Sequence, residues 1–152
     1  MAGMSIIYGY GFKVLCSDVV IVSFIKNHKD AFCKSEMEKE IYKELMEVDD
    51  GNYELDAVFA DYDCDTSGDT GVGAVVANIM QRETGISFEF RRSDDTNVEN
   101  PTVLFVETMP WFLNETKKRL TKNDFSAIVD KYAKELLIDV KDIGNKELEY
   151  CD

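Results

Sequence analysis

Asp61, Asp63, Asp65 and Asp69 recur through one glycine-bearing loop, and aspartates spaced this way can surround Ca²⁺ or Mg²⁺ with hard oxygen ligands. The helix-loop-helix calcium grip also needs a sharp-turn glycine at its sixth position and a bidentate Glu at its twelfth. Counted from Asp61, those positions hold Thr66 and Val72, so a solvated acidic loop is the preferred reading and a cation site the alternative. The same loop runs into Ser67-Gly68-Asp69-Thr70-Gly71-Val72-Gly73. A helix N-terminus there could offer backbone N–H groups to a phosphate. No lysine follows the glycines and three aspartates stand beside them, so Asp69 or Thr70 is expected to cap the helix instead.

Nucleophilic and acid–base chemistry have little to work with. His28 is the single histidine, and Cys33 lies near it in sequence, but a Cys/His pair needs a third group to orient it. Cys16, Cys33, Cys64 and Cys151 contain no C-x-x-C pair, which argues for free thiols rather than a disulfide framework or a zinc site with His28. Four thiols of that kind suit a reducing, cytoplasmic setting. No complete catalytic constellation is present, so the sequence predicts a binding protein, not an enzyme, and no cofactor apart from the alternative Ca²⁺ or Mg²⁺.

The most directional feature is electrostatic. The formal net charge is −13, and residues 36–69 carry −11 of it, against +2 before them and −4 after. Within that segment Glu36, Glu40, Glu44 and Glu47 follow helical spacing and form one anionic stripe. Like charges so placed cost a helix a few tenths of a kcal/mol per pair, roughly. Asp49, Asp50, Asp61, Asp63, Asp65 and Asp69 extend the array. Such a field repels nucleic acid and anionic membranes and suits a basic protein surface, including the groove of a nucleic-acid-binding protein. Trp111, beside Phe112 and Pro110, could anchor such an interface or close the core. A two-fold homodimer also stays open.

These residues must be held by elements the sequence marks locally. A single α+β domain is expected over residues 4–138, followed by a charged tail over 139–152 that frays or adds a short edge segment. SIIYGYGFKVL at 5–15 reads as a strand. Ser17 opens a helix ending near Asn27. Ser35 and Glu38 form a capping box for a helix whose Met37, Ile41 and Leu45 face inward. A short helical segment follows the Asp49-Asp50-Gly51-Asn52 turn. A further helix runs from Thr70 to Thr84 with Gly85 as its C′ residue. Period-two alternation at Ile86–Arg91 and the run Val103–Val106 predict two antiparallel strands. Thr121 caps a last helix with Phe125, Ile128, Val129, Tyr132, Leu136 and Leu137 buried. The sum is a small, mainly antiparallel sheet of about three strands with helices on one face. No segment approaches the ~20 apolar residues of a membrane span.

With YGYGF near its start and the segments ANIMQRETGISFEF and PWFLNETKKRLT, the chain resembles the uncharacterised small acidic proteins encoded by phages and mobile elements of low-GC Gram-positive bacteria. The likeness runs from Met4 to about Ile138 and transfers no catalytic residues. It implies antagonism of a host defence protein by charge mimicry of nucleic acid.

Overall fold

The computed structural model describes residues 4–66, 70–92, 102–107 and 122–151, and so Asp69, Trp111 and the expected cap Thr121 lie outside the described residues. Four strands form one antiparallel sheet in the order β2-β3-β1-β4: β1 (Met4–Lys13), β2 (Phe88–Arg92), β3 (Thr102–Glu107) and β4 (Ile143–Cys151). β2 and β3 are neighbours, with Phe88 opposite Val106 and Phe90 opposite Leu104. β1 pairs β3 on one side and β4 on the other, Phe12 registering with both Leu104 and Ile143.

β4 is an edge segment, the alternative to a frayed charged tail, and it is longer than expected. Residues Val140–Asp142 make one turn of 3-10 helix, after which nine residues pair with β1 along nearly its whole length. Lys146, Glu147 and Glu149 look aperiodic as a hydrophobic pattern. An edge strand is held by main-chain hydrogen bonds, however, and tolerates charges that discourage further pairing.

The helices lie on the face of the sheet that carries Phe12, Phe88 and Phe90, all fully buried. α5 (Val72–Thr84) packs on β2 and β3, and α6 (Lys122–Glu135) on β1. Gly73 to Met80 are buried without interruption, as expected of a helix enclosed on all sides. Its N-cap differs from expectation. Gly71 occupies that position at φ 124°, where a side chain would be strained, and among the described residues no side-chain cap is made there, the expected cap Asp69 lying outside them. At the other end Gly85 is left-handed as expected, and its N–H donates to the Gln81 carbonyl at 2.8 Å.

The remaining helices are α1 (Asp18–Asn27), α2 (Lys29–Phe32), α3 (Glu36–Met46) and α4 (Leu55–Val58). α2 packs on α5, and Phe32, Phe59 and Tyr62 form a ring cluster with centroids 5.5 to 6.1 Å apart, Phe59 edge-on to the other two. Two apolar residues depart from their expected places. Met37 is 55% exposed, while Leu45 is buried and Ile41 partly so. Leu137 is 75% exposed because α6 stops before it. The Leu137 N–H donates to the Lys134 carbonyl and the Ile138 N–H to the Ala133 carbonyl, so Leu137 holds the left-handed position, φ 57°, that usually selects glycine. A non-glycine residue there costs about 1–2 kcal/mol.

Candidate interaction surface

α3 is fixed at its start by a reciprocal cap. Ser35 Oγ accepts from the Glu38 N–H at 3.1 Å, and Glu38 Oε1 accepts from the N–H groups of Ser35 and Lys34 at 2.9 and 3.1 Å. The Glu38 carboxylate does more than cap. Its Oε2 accepts from the Tyr62 hydroxyl at 2.5 Å and from Arg82 Nη1 at 2.7 Å. Arg82 in turn donates through Nη1 to the carbonyls of Ala31 and Phe32 and through Nε to Asp65 Oδ2 at 3.2 Å.

Asn78, buried in α5, completes this network. Its amide nitrogen donates to the Tyr62 hydroxyl and the Asp63 carbonyl, and its amide oxygen accepts from the Asp65 N–H at 2.7 Å. α2, α3, the 59–66 loop and α5 are thereby tied through one set of satisfied polar groups, which is the condition for burying them. Burial pushes the Glu38 carboxyl toward protonation, but the hydrogen bonds from Tyr62 and Arg82 and the guanidinium charge outweigh it, and its pKa lies below the usual value. The same burial and the neighbouring carboxylate raise the Tyr62 hydroxyl. Glu38 is a carboxylate and Tyr62 a neutral donor.

Against this fixed frame the other described acids of the segment are exposed. Glu36, Glu40, Glu44 and Glu47 are exposed along α3, and among the described residues only Glu36 of these four has a cationic partner, Lys39 at 3.3 Å. Asp49 and Asp50 continue the exposed surface beyond the helix, the latter accepting from the Asn52 N–H in a turn. Asp61, Asp63 and Asp65 are also exposed. Asp65 faces Arg82 instead of converging with its neighbours, and the described residues contain no group of three or more His, Cys, Asp or Glu gathered to hold a metal ion.

A second polar centre lies where α1, α5 and α6 meet. His28 Nδ1 is 2.7 Å from Glu83 Oε2, and its Nε2 is 2.9 Å from both carboxylate oxygens of Glu135. Tyr132 donates to the other oxygen of Glu83 at 2.7 Å, and the Phe24 ring lies 4.4 Å from the imidazole. With both ring nitrogens on carboxylates, the imidazolium is the form that donates twice. Burial opposes that charge, yet the bonds to Glu83 and Glu135 prevail and the His28 pKa stands above its usual value.

The pairing of His28 with Cys33 does not form, because both ring nitrogens are occupied by carboxylates. Burial raises the Cys33 thiol, and pushes Cys16 up to about 11, so neither is the thiolate that nucleophilic chemistry needs. Cys16, Cys33 and Cys64 are free thiols. Sequence reasoning missed the Glu38–Tyr62–Arg82–Asn78 network and the His28 clasp. For the former, the capping box named Glu38 but gave no sign of Arg82. Comparison with family models, curated proteins and solved structures gives no match. Among the described residues no helix is long and apolar enough to cross a membrane.

Proposed function

We propose that this chain is an acidic protein-interaction module that presents the outer face of α3, with Asp49, Asp50, Asp61 and Asp63 beside it, to a basic surface of another protein. The observation that carries the reading is the sorting of the glutamates. Glu38, the one the fold uses, is 2% exposed and bound to Arg82 and Tyr62, whereas Glu36, Glu40, Glu44 and Glu47 are displayed in a row on a helix that this bond holds still. A row of carboxylates on a helix anchored by Glu38 offers a basic groove an anionic edge whose backbone is already in place. The resemblance to small acidic phage proteins favours a nucleic-acid-binding host protein as the partner, its DNA or RNA groove occupied by carboxylates in place of phosphates.

Pull-down from a bacterial lysate at low salt and at about 0.5 M, where the Debye length is roughly 4 Å, followed by displacement of labelled duplex DNA from the captured protein, tests this. Capture lost at high salt, duplex released on binding, and loss of both by Glu40→Lys with Glu44→Lys and Glu47→Lys are expected. Undiminished capture by that triple variant would sink the proposal.

A further inference from the structure

Five large hydrophobic residues are exposed among the described residues, and four of them, Leu15, Val19, Leu137 and Val140, lie on chain segments that come together at one end of the molecule. Their chain segments meet there. The Cys16 thiol donates to the Leu136 carbonyl at 3.3 Å, which brings the β1–α1 connection against the end of α6. Phe12 pairs with Ile143, which places the turn containing Val140 beside the end of β1. Leu137 and Val140 are 75% and 82% exposed, and Leu137 keeps its apolar side chain outward from a backbone conformation that glycine would hold without strain. Neither residue is buried in the core, and large apolar side chains exposed on adjoining segments mark interaction sites.

The rim is acidic. Asp18 accepts from the Leu55 N–H at 3.3 Å, which carries Glu54 and Asp56 to the start of α1 beside Val19. Asp139 and Asp142 flank Val140. These five carboxylates stand against Lys13, Lys134 and Lys141, within a chain of net charge −13. A second copy would bring one acidic rim against another, and an anionic membrane would be repelled. We infer that this end, formed by Leu15, Val19, Leu137 and Val140, is a docking surface for a basic amphipathic segment of a partner protein, its apolar side seated on the four residues and its cations on the rim. The surface is distinct from α3 and does not depend on the α3 reading.

The test uses the full chain and a fluorescein-labelled synthetic helix of about five turns made of Leu and Lys, with a Leu/Glu helix of the same pattern as comparison. Anisotropy at about 0.15 M salt is expected to show binding of the first helix and not the second. Leu137→Gly with Val140→Ser is expected to weaken binding about tenfold, without lowering Tm, since glycine relieves the left-handed position. In the background of Glu40→Lys with Glu44→Lys, the Leu137/Val140 substitutions are expected to weaken the remaining binding by the same factor of about ten. Binding unaffected by the Leu137/Val140 variant, or equal binding of the Leu/Glu helix, would overturn the inference. So would loss of binding confined to the α3 variant, which would favour α3 as the site. A dimer in sedimentation that the Leu137/Val140 variant dissociates would make a second copy the occupant and overturn it as well.

Discussion

His28 sits between two carboxylates, one from α5 and one from α6, and its charge is what joins them. The Tyr132 hydroxyl braces Glu83 from α6, and Asn27 approaches Glu135 from the end of α1. The folded-state pKa lies above the ordinary 6.5, so the clasp contributes in full below that value and its contribution is lost as pH rises through the folded-state pKa. His28→Gln is expected to cost about 2 kcal/mol at about pH 6 and progressively less toward about pH 9. Thermal melts of both proteins across that range check it, and a pH-independent difference would mean that only the ring packing matters. This centre was illegible in the sequence because Glu83 and Glu135 lie 55 and 107 positions from His28. Any of thirty acids could have been a partner.

Elements whose ends are decided within a few residues were the legible ones. Ser35 and Glu38 satisfy each other's neighbouring N–H groups across three positions, and Gly85 ends α5 by its own conformation. Ser35→Ala should therefore cost about 1 kcal/mol, read as a lower midpoint in urea with an unchanged slope. Where a tertiary contact chose between near-equal options, periodicity failed. It carried the stripe of α6 into Leu137, although the helix had already ended, and it assigned Met37 to the core when Ile41, Tyr42, Leu45 and Met46 are the residues of α3 that reach it. The α3 glutamates were correctly grouped by spacing, but spacing could not say that Glu38 faces the opposite way, because only the position of Tyr62 and Arg82 makes its burial tolerable.

At the scale of the whole molecule, the α+β class and the antiparallel β2–β3 pair followed from the change of period at residue 86 and the apolar run before Val106. The inner place of β1 and the length and partner of β4, expected at most as a short edge segment, did not, since main-chain pairing between distant segments leaves no local mark. The pairing of β4 has a measurable weight. Removal of residues 143–152 is expected to abolish the cooperative thermal transition or lower Tm by more than about 10 °C, as followed by circular dichroism. An unchanged melt would return that segment to the status of a tail. The acidic faces belong to this scale too, since α3 and the Leu137 end together would let one chain meet a basic partner in two places and gain avidity from their spacing.

The position of β1 also sets an order in time. Its two neighbours come from the far part of the chain: Val103 to Glu107 on one side and Ile143 to Cys151 on the other. During vectorial synthesis, at roughly 5–20 residues per second, the strand that will be the middle of the sheet emerges first and waits for both partners. Non-local pairing of that kind folds slowly. In that interval YGYGF is an unpaired, aromatic-rich strand, and its protection falls to whatever meets the nascent chain.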